Sequence, residues 1–138
     1  MALPRHERGL LLRARIQLTL TAVVLRLGGL RRASGLVERL NPQPTEPPQL
    51  DTQPARVQRT VELVAAASRL GPEGTCLTRS LVIRGLLRRQ GIASTLRMGI
   101  RREAGVEGHA WVEVAGEPIN DRPDVASSYL PFPTDTSS

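Results

Sequence analysis

An α+β fold is predicted for this chain, and three observations predict it. Apolar residues recur at helical spacing through most of the first 90 positions. After Gly91 the period of the pattern changes to two. The period-two segments that follow are joined by connections too short for a crossover helix, so they pair antiparallel. The 138 residues, 40% hydrophobic and 23% charged, are enough for one domain of ordinary size with a buried core, or a small domain with an appendage.

Residues 7–40 are expected to be helical, because they contain no proline and are rich in Leu, Arg and Ala. Leu12, Ile16, Leu20, Val23, Leu27 and Leu30 step by three or four and form an apolar stripe, while Arg8, Arg15 and Arg26 are expected in a narrow arc of the opposite side. Leu11, Leu18, Val24 and Leu25 widen the apolar surface, so this helix needs cover from its own domain, a partner or a membrane surface. Gly28-Gly29 is expected to break it in two. The uncharged run Ile16–Leu25 has ten residues, against the ~20 that cross a bilayer. Arg26 ends the run and no small-x-small cleavage site follows, which argues against a signal peptide and for a cytoplasmic protein.

Residues 41–54 hold five prolines and are expected to be a linker or extended strap. A second helix is predicted over 54–70, with Pro54 in its first turn, Val57, Val61, Val64 and Ser68 on one face, and Gly71-Pro72 as its stop. A third follows a short loop and runs from Cys76 to about Gln90, with Cys76, Ser80, Ile83 and Leu87 on one face and Gly91 as its cap. Ile92, Leu96, Met98 and Ile100 then predict a strand. A polar turn is expected over roughly 102–108, a second strand over His109–Val114, and a third over Pro118–Asp121. The domain is expected to occupy 55–126, with a loose Ser-, Pro- and Thr-rich tail over 127–138.

Composition excludes several kinds of chemistry. All 19 basic residues are arginine, so Schiff-base catalysis and a lysine-bearing phosphate loop are excluded. One cysteine excludes an internal disulfide or a cysteine-based zinc cluster. The only aromatics are Trp111, Tyr129 and Phe132, too few for a base-stacking platform. Residues 1–40 carry eight arginines against Glu7 and Glu38, whereas residues 41–138 carry eleven arginines and eleven acids. The basic character thus belongs to the first helix. It suits an anionic membrane, nucleic acid or an acidic protein, or a merely solvated helix face.

Three placements bear chemistry. Cys76 opens a helix, His109 opens a strand and Asp121 closes the next. A thiol at a helix N-terminus meets the positive end of the helix dipole, which favours thiolate, and the free N–H groups there can receive an oxyanion. An imidazole can take the thiol proton and return it to a leaving amine, and a carboxylate can hold the far ring nitrogen. The bland alternatives are a cysteine inert in the core, a structural histidine beside Trp111 and a turn aspartate after Asn120. Alternation also puts Glu113 on the same face as His109, where it requires a partner or solvent.

The run Cys76-Leu-Thr-Arg-Ser-Leu-Val-Ile-Arg-Gly-Leu-Leu-Arg-Arg-Gln-Gly-Ile92 resembles the cysteine helix of transglutaminase-like cysteine proteases. Gly108-His-Ala-Trp-Val-Glu-Val114 resembles their histidine strand and Ile119-Asn-Asp121 their aspartate strand. Within that superfamily the chain is most similar to the leader peptidase of lasso-peptide biosynthesis, the B-type maturation protein, over roughly residues 55–122. The resemblance implies a papain-like core, a cysteine-bearing helix packed on an antiparallel sheet. It makes Cys76 the nucleophile, His109 the general base and acid, and Asp121 the orienting carboxylate, with no metal or organic cofactor. It implies a lasso precursor peptide as substrate, a separate leader-binding protein (no fused one fits ahead of residue 41), and an ATP-dependent macrolactam cyclase as a further partner. Nucleic acid is not expected, and contact with a membrane surface is possible but not favoured. Two other readings remain: a different amide hydrolysis or transfer on the same fold, and a catalytically silent scaffold that binds partners through the first helix.

Overall fold

The computed structural model describes residues 5–45, 53–71, 75–102 and 106–132. Helix α1 (Arg5–Leu40) is interrupted at Gly29, whose φ of 81° and ψ of −177° are open to glycine at little cost. The break expected at Gly28-Gly29 is therefore present, and it folds α1 into two arms. Gln17 and Asn41 meet across the arms and exchange amide hydrogen bonds of 3.1 and 2.8 Å. Fully buried Asn41 also donates to the Val37 carbonyl at 2.8 Å.

The face of the first arm that is buried is not the predicted stripe. Ala14, Leu18, Thr21 and Ala22 turn inward with Gln17, whereas Leu12, Ile16, Leu20, Val23 and Leu27 are exposed. The reason is steric: the small Ala14 and Ala22 let the neighbouring helices approach closely, and Leu18 fills the space between them.

Helix α2 (Gln53–Ser68) buries Val57, Thr60, Val64 and Ala67, with Val61 partly covered. Helix α3 (Cys76–Arg89) begins at Thr75, whose hydroxyl accepts the Thr78 N–H at 3.2 Å. It ends with Gly91 in the left-handed region, the Gly91 N–H bonded to the Arg88 carbonyl and the Ile92 N–H to that of Leu87. Ile92 thus belongs to the helix closure, where it is buried, and not to the strand as predicted.

The four-stranded antiparallel sheet has the order β3-β2-β1-β4, built from β1 (Thr95–Arg102), β2 (Val106–Val114), β3 (Glu117–Pro118) and β4 (Leu130–Phe132). β1 and β2 extend into the segment expected to be a polar turn, of which only 103–105 lie outside the described residues. β3 is shorter than predicted. The tail expectation fails for residues 127–132. Helix α4 (Val125–Ser128) and β4 lie there, and β4 pairs with β1 through Met98, Gly99 and Ile100. The register sets the two faces: Leu96 opposite Val112 and Met98 opposite Ala110 pack on the helices, and Arg97 opposite Trp111 and Gly99 opposite His109 alternate with them.

One core joins these elements. Ala14 and Leu18 of α1, Val57 and Val64 of α2, Val82, Ile83 and Leu86 of α3, and Val112 of β2 pack together. The second arm of α1 contributes Ala33 and Val37 to an adjoining cluster with Leu81, Leu96 and Ala110. α1 therefore packs on its own domain. Of the proline-rich stretch, residues 46–52 lie outside the described residues.

Candidate active site

Cys76 is the first residue of α3 and is half-buried, with its side chain at the margin of an apolar cluster. The Thr75 hydroxyl takes the Thr78 N–H and the Thr75 carbonyl takes the Arg79 N–H. The backbone N–H groups of Cys76 and Leu77 therefore have no acceptor within the helix and point out of its positive end. The thiol has two surroundings, the apolar cluster on one side and a cleft of about 120 Å³ on the other.

His109 and Asp121 line the same cleft as Cys76, together with Arg79, Ala110 and Asn120, over a floor that includes Val64 and Ile83. His109 stands inside β2 and not at its start as expected, and Asp121 lies beyond β3 and does not close it, on the chain that continues beside β2. His109 Nε2 is bonded to Asp121 Oδ2, and Asp121 Oδ1 accepts the Arg122 N–H at 2.7 Å. A carboxylate on Nε2 places the ring proton there and leaves the Nδ1 lone pair as the acceptor. The ring is further held by stacking on Tyr129 and Trp111, at centroid distances of 5.1 and 5.9 Å. Gly99, opposite His109, carries no side chain, and any Cβ there would crowd Tyr129.

Glu113, which shares this side of the strand, has partners. It accepts the Trp111 indole N–H at 3.0 Å and the Arg97 Nε–H at 3.3 Å. Its carboxylate therefore braces the Trp111 ring against which His109 stacks.

Asn120 has a role that the sequence does not signal. Its side-chain carbonyl accepts the Val112 N–H at 2.8 Å and its amide donates to the Ser80 hydroxyl at 3.2 Å, which in turn donates to the Ala110 carbonyl at 3.4 Å. This relay ties the cysteine helix to the histidine strand and to the residue before Asp121. Tyr129 was hidden in a segment that looked like a loose tail. Arg79 was recoverable from its spacing of three from Cys76, which puts both on one helical face. Among the described residues no three His, Cys, Asp or Glu side chains come together to hold a metal ion. No helix among them is long and apolar enough to cross a membrane.

A family model, the transglutaminase-like superfamily, matches residues 17–134. The chain belongs to that superfamily. The match spans the cysteine helix, the histidine strand and the aspartate segment, and it begins inside α1, so most of the helical hairpin lies within it. A transglutaminase-like domain agrees with the fold expected from the sequence, helices packed on an antiparallel sheet. No curated protein and no solved structure matches the chain.

Proposed function

We propose that this protein is a cysteine peptidase that removes the leader from a ribosomally made lasso-peptide precursor, which a separate leader-binding protein presents to it. What supports a thiol acyl-transfer enzyme is a single arrangement: Cys76 at the head of α3 and the His109–Asp121 pair line one cleft. What supports the substrate is the similarity of the Cys76–Ile92, Gly108–Val114 and Ile119–Asp121 runs to that peptidase.

In the proposed reaction Nδ1 of His109 takes the Cys76 proton, and the thiolate attacks the carbonyl at the leader–core junction. The N–H of Cys76 faces the oxyanion. His109 then protonates the departing core-peptide amine, and the leader remains as a thioester on Cys76. Water, losing a proton to His109, hydrolyses the thioester and frees the leader acid and the thiol. Asp121 holds the ring in the tautomer that these transfers need.

Incubation with the precursor and the separate leader-binding protein, followed by mass spectrometry, tests the reading. Two fragments whose masses add up to the precursor plus one water are expected. Cys76→Ala should lower the rate on the order of 10⁴-fold or more with an unchanged circular dichroism spectrum. Undiminished cleavage by that variant would end the nucleophile assignment. An intact precursor with the native protein would end the substrate assignment, and a precursor joined to an added amine would favour amide transfer.

A further inference from the structure

Among the described residues nothing covers the outward face of the first α1 arm, and that face has an order of its own. Leu27 is 83% exposed and Leu12 60%, with Ile16, Leu20 and Val23 between them each more than two-fifths exposed. From Ile16 onward the steps are four, three and four, the spacing of a narrow seam that meets another helix. From Leu12 to Leu27 this seam runs about 22 Å at 1.5 Å per residue. At one end it opens into a groove of about 330 Å³ between Leu12, Ile16 and Leu20 and the end of the second arm at Leu40. Gly9 leaves that groove unfilled, and Arg13 stands at its rim.

Charge narrows the choice of occupant. Exposed Arg13 flanks the seam on one side and exposed Arg8 and Arg26 on the other, nearer to it than the opposite side expected for the last two, and no acidic residue occurs between positions 8 and 37. The two acids of α1 are engaged with its own domain, Glu7 with Arg59 and Glu38 beside Arg84. A second copy laid on this seam would set arginine against arginine. A bilayer takes a broad apolar face and needs no groove, whereas here the seam is narrow and the flank of the helix packs on the domain.

We infer that this face seats an amphipathic helix of a partner protein, with an apolar ridge that enters the seam and groove and glutamate or aspartate along its flanks to meet the arginines. The seat is independent of the peptidase reading, since none of its residues lines the cleft of Cys76.

The test uses the full-length protein and a labelled synthetic helix with leucine at the a and d positions and glutamate at e and g; the control peptide has serine at a and d. Fluorescence anisotropy should show binding of the leucine peptide, at least about tenfold weaker binding of the serine peptide, and a further loss as salt rises past the range where exposed charges are screened. Ile16→Gln with Leu20→Gln should weaken binding by tenfold or more with an unchanged melting temperature, and Arg13→Glu with Arg26→Glu should do the same. Equal affinity for the two peptides, or no binding of either, would overturn the proposal. So would binding to phosphatidylglycerol vesicles in place of the peptide, or a concentration-dependent dimer that blocks it. Cleavage of a precursor is measured separately and bears on none of these outcomes.

Discussion

The His109–Asp121 contact is where a single atom decides most. With Asp121 on Nε2, the imidazole keeps Nδ1 as its acceptor. Asp121→Asn keeps the shape but allows the ring to flip its tautomer, and kcat for the proposed cleavage is expected to fall about 10³–10⁴-fold with little change in KM, as steady-state kinetics would show. Asn120 acts at one remove. Asn120→Ala strips an acceptor from the Val112 N–H and a donor from Ser80, so a loss of about 1–3 kcal/mol is expected in urea unfolding. Cys76 and His109 stood out in the chain because their chemistry is rare in it, one cysteine and two histidines among 138 residues, whereas Asp121, one of 13 acids, stood out by its place after them. Asn120, Tyr129 and Glu113 did not, because asparagine, tyrosine and glutamate acquire a role only from the neighbour that receives their hydrogen bond or ring.

Element boundaries follow local physical rules. Gly91 after α3 was legible as a stop, and the hydrogen bonds there, like those of Thr75 at the start, are those the rules require. The β2–β3 turn contains a mismatch. Ala115 and Gly116 have φ of 53° and 81°, the pair of left-handed positions that a two-residue hairpin demands, yet alanine pays for its Cβ there. Ala115→Asn should therefore raise the melting temperature, by about 0.5–1 kcal/mol in stability. At Gly85 the opposite holds: a methyl group would run into Val37 and Asn41 of the second α1 arm. Gly85→Ala is expected to cost about 1–3 kcal/mol by the same measurement.

For the whole molecule, α1 is part of the core and not an appendage. Leu18 and Val37 are buried against α2, α3 and the sheet, and the Gln17–Asn41 amide pair is closed within the hairpin. Removal of residues 1–40 opens both apolar clusters at once. The truncated chain is expected to lose its cooperative thermal transition, which circular dichroism would show. The exposed seam on the other side of the same arm contributes little to folding, so its glutamine variants separate binding from stability.

The sequence by itself determined the α+β class, the three long helices, the glycine break in the first, and the place of Cys76 at the head of the third. These depend on period, caps and residue type, all of which act within a few positions of the chain. Only the tertiary structure decided which side of α1 faces inward, since an arm apolar on several sides carries no local mark of the face its neighbours will cover. It alone joined Cys76 to His109 and Asp121 in one cleft and recruited residues 130–132 as a fourth strand, because such meetings are made by packing between segments far apart in the chain.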